Sequence, residues 1–290
     1  MLPWKISKFL KWTVFIKMNL RLMSHNVWGM YAPDVVKRVD NRSDLMWEIY
    51  SEYHPDVIGM QEFSEDIRSS GLLENMQERY IELDVSEDIQ KYGMENLFTP
   101  IFYHQETCEP LEKGFVLFDR VYNNHDSKGI AWAVFRHKPS NRIFSVANTH
   151  YWWKSGEEHD AARVKNSEVL LSMAQALPKP FFAMGDLNCT VRSAAYQKLS
   201  ENGLCDVQLT APITTAGNTH HPYPFHDSKT NTFYGAPAPE GNYTKAIDHM
   251  FLDGEHTCGL QRFEILTEER ALNTSDHCPV FLDYSISVEK

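Results

Sequence analysis

Short apolar runs of strand length recur along the chain, and each meets a polar residue at one end. Leu20–Ser24 leads into His25 and Asn26, Asp56–Met60 into Gln61 and Glu62, and Ile143–Ala147 into Asn148, Thr149 and His150. Phe181–Met184 leads into Gly185, Asp186, Leu187 and Asn188. Ala246 and Ile247 lead to Asp248, and Ser275, Asp276 and His277 open the run Cys278–Leu282. Short apolar runs bounded by turn-type residues read as buried strands.

Helical periods lie between them. Asn41–Asp44 predicts a helix start, with Leu45, Ile49 and Tyr53 on one face and Pro55 as the stop. Ser64–Asp66 opens another, with Ile67, Leu72, Met76 and Tyr80 as candidate buried positions. The longest spans Glu157–Leu177. Val164, Leu171 and Ala174 form its stripe, Ala161, Val169 and Leu170 lie beside it, and Pro178 ends it. Leu97–Tyr103, Gly114–Val121 and Gly129–His137 follow one another without helices and predict an antiparallel meander. Residues 205–245 hold five prolines and His220, His221 and His226, and read as a long irregular excursion of a kind that is often functional. Strand–helix alternation mixed with consecutive strands predicts an α/β (α+β) layered sandwich, with polar strand ends gathered on one rim.

Length and charge refine this picture. The 290 residues allow one large domain or two ordinary ones, and hydrophobic and charged fractions of 42% and 23% exclude disorder, collagen and a many-pass membrane protein. Met1–Lys17 carries four lysines and no acid; removing that +4 from the total of −11 leaves −15 on the rest. We therefore divide the chain into a basic extension, 1–17, and a single domain, 18–290. The extension is too short for a membrane span and lacks a signal-peptide cleavage pattern. It reads as a functionless segment upstream of Met18, as a basic membrane-surface helix, or as a poor signal sequence. The five dispersed cysteines form neither a disulfide framework nor a zinc finger and read as small core residues of a cytoplasmic protein. A secreted or membrane-surface location follows only if the extension has a function.

The rim residues form a chemical set: Asn26, Glu62, His150, Asp186, Asn188, Asp248, Asp276 and His277. Carboxylates crowded on one rim need a cation. Oxygen ligands select hard ions, Mg²⁺ first with Mn²⁺ or Ca²⁺ as alternatives. A hard ion flanked by imidazoles suits hydrolysis of a phosphate ester.

Ser24–Val27, Gln61–Glu62, Asn148–His150, Gly185–Asn188, Ile247–His249 and Ser275–His277 together resemble the ordered signature of the endonuclease/exonuclease/phosphatase superfamily, over about Met18–Lys290. The resemblance implies a DNase I-like four-layer αββα sandwich and a Mg²⁺-dependent phosphoesterase. It implies that Glu62 binds the metal with Asn26 beside it, and that Asp276 is a second metal-side carboxylate or an orienter. Asp186 would activate water, and Asn188 would hold phosphate or water. His277, oriented by Asp248, would stabilise the phosphoryl oxygens, and His150 would contact the phosphate.

Next to this set, Tyr151, Trp152 and Trp153 cannot all face one side of a strand, so at least one is expected to face the rim or solvent, where it could stack on a base or sugar; packing against the long helix is the alternative. Arg163 is a candidate phosphate clamp. Tyr223, Phe225, Phe233 and Tyr234 could wall a pocket. The acidic body and the lack of a basic track favour a phosphodiesterase acting on a small or sugar- or lipid-linked ester, and a monomer is expected. A DNA or RNA nuclease of the same superfamily is the alternative, followed by a non-catalytic binding module and by a zinc hydrolase built on the histidine-rich excursion.

Overall fold

Fifteen strands can be followed in the computed structural model, which describes residues 15–29, 40–123, 128–222, 225–227, 229–230, 232–234 and 237–289. They are β1 (Phe15–Asn26), β2 (Val57–Gln61), β3 (Tyr80–Glu82), β4 (Ile101–His104), β5 (Cys108–Leu117), β6 (Gly129–His137), β7 (Arg142–His150), β8 (Phe181–Asp186) and β9 (Leu204–Asp206). β10 (Ile213–Thr214), β11 (Phe225–Asp227), β12 (Thr232–Tyr234), β13 (Asp248–Asp253), β14 (Leu260–Ile265) and β15 (Val280–Glu289) complete the set. One sheet has the order β10-β14-β15-β1-β2-β4-β3, the other β5-β6-β7-β8-β13-β9, and β11 and β12 form a separate hairpin.

Three apolar clusters show how these elements are layered. Leu20, Leu22, Val57 and Leu282 of the first sheet pack against Phe135, Phe144, Val146, Phe182 and Met250 of the second. Successive strand residues point to opposite faces, so Met23, Ile58 and Phe281 turn outward onto Met46, Ile49 and Tyr50 of helix α1 (Asp40–Tyr53). The second sheet likewise turns Ala147, Phe181, Ala183 and Phe251 onto helices α2 (Glu157–Ala176) and α3 (Ala194–Ser200). The order is helix, sheet, sheet, helix.

Several local expectations are corrected. β1 begins at Phe15 and pairs with β15 from Phe15↔Glu289 onward, so the boundary after residue 17 falls inside a strand. Residues 1–14, and with them the membrane-surface reading of the extension, lie outside the described residues. Asn41–Ser43 lie within α1, and its buried stripe is Met46, Ile49 and Tyr50, with Leu45 half-exposed. The helix expected after Ser64 is two short ones, Glu65–Arg68 and Leu72–Met76, parted at Gly71 where φ is +89°. α2 buries Leu170, Leu171 and Ala174 as expected, with Val164 half-buried, but Ala161 is exposed and Ala162 is buried in its place. β4 joins β2 and β3 in the first sheet, so the meander is β5-β6-β7. The 205–245 excursion contains β9 and β10, which edge the two sheets. Among the described residues no helix is long and apolar enough to cross a membrane. Cys108, Cys189 and Cys278 are buried, and all five cysteines are free thiols.

Below the rim, one side chain ties the two sheets together. Asn148 of β7 donates through Nδ2 to the carbonyls of Met60 (2.7 Å) and Pro100 (2.9 Å), with Thr99 sharing at 3.1 Å. Its Oδ1 accepts from Gln61 Nε2 at 2.6 Å. Gly59 makes room, since a Cβ there would lie 2.7 Å from the Asn148 side chain. Asn148→Ala removes all of these bonds; the Pro100 carbonyl keeps the Met60 N–H and Gln61 Nε2 keeps Ser24, so the cost falls on the groups left unsatisfied, at roughly 1–3 kcal/mol each. We expect a loss of about 2–4 kcal/mol in urea unfolding; an unchanged midpoint would show that the tie contributes nothing.

Candidate active site

The rim is built from strand ends of both sheets. β1 ends on Asn26, and Glu62 follows β2. β7 ends on His150 and β8 on Asp186, while β13 begins at Asp248. Asp186 is the direct cross-strand neighbour of both His150 and Asp248. Two non-glycine rim residues, Glu62 (φ +57°) and Asn188 (φ +47°), adopt left-handed backbone conformations. That costs roughly 1–2 kcal/mol each and turns their side chains where a continuing strand could not. Gly185 (φ +143°) is required, because a Cβ there would sit 1.9 Å from the Thr149 carbonyl oxygen.

Asp186 is the centre. Its Oδ2 accepts from Asn26 Nδ2 at 3.0 Å and Asn188 Nδ2 at 3.2 Å. The same oxygen lies 3.4 Å from His150 Nε2 and 3.9 Å from His277 Nε2. Oδ1 accepts the Asn188 backbone N–H at 2.8 Å. Burial pushes this carboxyl upward, but the hydrogen bonds it accepts and the charges of His277 and Lys128 outweigh it and hold it well below the usual carboxylate range. Asp186 is therefore an anion.

His277 is shifted the other way. Burial disfavours its charge, yet Asp248, Asp276 and Asp186 together hold its pKa well above the ordinary histidine value. Its Nδ1–H donates to Asp248 Oδ2 at 2.8 Å, and that oxygen also accepts from Thr219 Oγ1 at 2.6 Å. Nε2 is left pointing toward Asp186, as a donor. Asp276 flanks it, with Oδ1 4.0 Å from His277 Nε2 and Oδ2 3.6 Å from His220 Nε2.

Glu62 carries the mark of a cation ligand. Oε1 lies 3.4 Å from Asn26 Nδ2, while Oε2 is buried and has no hydrogen-bond partner among the described residues. A buried carboxylate oxygen without a donor is costly, and a bound cation, or a water, would satisfy it. The oxygen-rich donors nearby fit a hard cation. Asn26 differs from its expected part. Its Oδ1 accepts the Trp28 N–H at 2.9 Å, and its amide faces both carboxylates as a donor.

The expected substrate readers are also rearranged. Tyr151 is buried against Phe118, with its hydroxyl on Ser167 at 3.2 Å, so it belongs to the core. Trp152 is buried between ammonium groups, 5.9 Å from Lys128 and 5.5 Å from Lys154. Trp153 is the exposed one, at 54%. Arg163 is buried, and its guanidinium donates to the carbonyls of Trp152 and Lys154 and pairs with Asp160. It braces the loop after β7 instead of clamping a phosphate. The side chains of Tyr223, Phe225, His226, Phe233 and Tyr234 lie outside those described.

Lys128 was not foreseen. It is 0% exposed, and its Nζ lies 2.7 Å from His150 Nε2. Burial lowers its pKa to about 8, against the pull of Glu62 and Asp186. His150 is in turn lowered, first by burial and then by Lys128. The arrangement fits a neutral imidazole accepting from the ammonium, so the cation presented here is Lys128. A lone lysine before an apolar strand carries no periodic signal; its only trace is that it stands immediately before Gly129 and β6.

Residues 23–277 match the model of the Endonuclease/Exonuclease/phosphatase family. Solved structures share the fold. An endonuclease/exonuclease/phosphatase from Bacteroides vulgatus is 22% identical, with 94% of this chain and 100% of that one covered at a TM-score of 0.72. A mannosyl-6-phosphatase from Bacteroides thetaiotaomicron is 20% identical, covering 92% and 99% at 0.71. D. rerio TDP2 complexed with single strand DNA product is 18% identical, covering 92% and 98% at 0.65. No curated protein matches the sequence at a significant level.

The Lys128–His150 contact has a measurable sign. Since the ammonium depresses His150, Lys128→Met should raise the His150 titration midpoint, followed by proton NMR on the metal-free chain with His150→Gln for assignment. A downward or absent shift would show that the two groups are not coupled.

Proposed function

This chain belongs to the endonuclease/exonuclease/phosphatase family, and from that premise we propose that it is a Mg²⁺-dependent phosphoesterase acting on a small, sugar-linked phosphate ester. The observation that carries the reading is the convergence of Glu62, Asp186 and His277 at one rim, with a buried Glu62 oxygen that has no partner among the described residues. The exposed Trp153, three residues after His150, supports a sugar, since an aromatic face can stack on a ring. The likeness to a mannosyl-6-phosphatase points the same way.

Glu62 would hold the ion, with Asp276 on the far side of His277. When bound, a hard divalent cation polarises the phosphoryl group and stabilises the leaving oxygen. Asp186, kept anionic, aligns the attacking water through Oδ2 and accepts its proton as the new P–O bond forms. Its low pKa makes alignment its first task. Asn188, fixed by Asp186 and by the Tyr151 carbonyl, positions the same water or the phosphate. His277 donates from Nε2 to a non-bridging oxygen as negative charge grows there, and Asp248 holds the ring in that tautomer. Lys128 supplies a fixed positive charge on the opposite flank.

A hydrolysis panel of mannose 6-phosphate, a chromogenic phosphodiester, inositol phosphates, sphingomyelin, RNA and plasmid DNA, with and without Mg²⁺, tests this. Asp186→Ala and His277→Ala should each lower kcat by about 10²–10³-fold. Glu62→Gln should raise the Mg²⁺ concentration required. If neither alanine variant lost more than about tenfold, the mechanism would be wrong; turnover confined to the nucleic acids would favour the nuclease.

A further inference from the structure

The segment before β13 brings a second set of ligand atoms to the rim. Residues 219–221 run beside 276–278. His220 and His277 form an isolated antiparallel bridge, the His221 N–H donates to the Asp276 carbonyl at 2.9 Å, and the Cys278 N–H donates to the Thr219 carbonyl at 2.8 Å. Backbone pairing thus fixes His220 where no spacing rule would place it. Its ring stands edge-on to that of His277, with centroids 4.9 Å apart and planes at 77°. One ligand atom from each of His220, Asp276 and His277 lies within 4.8 Å of the other two. Around a tetrahedral ion with bonds of about 2.0–2.1 Å, ligand atoms stand roughly 3.4 Å apart, so small side-chain rotations close the set. The His220 side chain is 46% exposed, which leaves an approach from solvent.

Two imidazoles and one carboxylate differ chemically from the oxygen donors around Glu62. Imidazole suits zinc and cobalt, while carboxylate and water suit magnesium. We propose that His220, Asp276 and His277 form a second cation site, selective for a zinc-like ion, and that filling it silences the enzyme. The silencing half rests on the phosphoesterase reading above. His277 Nε2 cannot hold an ion and also donate a hydrogen bond to a phosphoryl oxygen. Magnesium and zinc then act in opposite directions on one rim.

Co²⁺ and Zn²⁺, added to the full chain after chelation and in the presence of excess Mg²⁺, are the probes. One equivalent of Co²⁺ should give the visible d–d bands of a four-coordinate ion, and Zn²⁺ should displace it. His220→Ala and His220→Gln should weaken that binding at least tenfold, about the range lost even when outer groups of a metal site are removed, while the unfolding midpoint stays that of the wild type. The same variants should raise the Zn²⁺ needed for half-inhibition by a similar factor. No visible bands, or equal Co²⁺ affinity in the His220 variants, would overturn the site. Equal Zn²⁺ inhibition in those variants would overturn the silencing. A wild-type chain that hydrolyses nothing sinks the phosphoesterase reading, and with it the silencing, while the Co²⁺ spectrum still decides the site.

Discussion

Everything at the rim depends on how the two sheets are held against each other. Apolar packing between them is strong but not directional, and it would tolerate a slide of one sheet over the other. Asn148 does not. Its amide reaches from β7 into the backbone of β2 and the turn before β4, and Gln61 reaches back to it. The tie lies two residues below His150 on one sheet and beside Glu62 on the other. A polar group buried there is costly unless every partner is in place, so it selects one alignment. In that alignment Asn26 of the first sheet can donate to Asp186 of the second at 3.0 Å.

The second constraint is charge. Glu62, Asp186, Asp248 and Asp276 are buried together, an arrangement that would expel itself without compensation. The chain compensates by position. Asp248 is neutralised by His277 and Thr219, and Asp186 by two amides and the flanking cations. Glu62 is left least satisfied, with one buried oxygen that has no partner among the described residues, and that is the ground for proposing an external ion there. The overall acidity of the chain is thus unevenly spent, with its most concentrated portion turned inward.

Much of this was legible in the sequence. Strand runs meeting polar residues marked the rim because burial demands apolar length and chemistry demands a polar terminus. Asp186, Asn188, Asp248, His150, His277 and Glu62 are brought together as that pattern implied. The failures have physical reasons. Arg163 and Tyr151 looked like substrate readers because charge and aromaticity are visible in sequence, whereas burial against backbone carbonyls or Ser167 is not. His25 and His249 sit in the same motifs as the rim residues but serve packing. His25 is held neutral by burial, its pKa pushed down to about 3, and His249 is bound to Asp206 and the Cys189 carbonyl. Lys128 and His220 arrive from elements with no periodic signal, through contacts that only the assembled fold creates.

β1 lies between β2 and β15, joining residues near the start of the described chain to its last strand. During synthesis β1 therefore waits with one edge unpaired until β15 has been made. Contacts of such sequence separation fold slowly, and an open apolar strand edge invites mispairing meanwhile. A chain cut between His277 and Val280 would hold every rim residue, Asn26 through His277, yet its first sheet would lack β15. The rim thus takes its final geometry only once a strand that contributes no rim residue has closed the sheet beneath it.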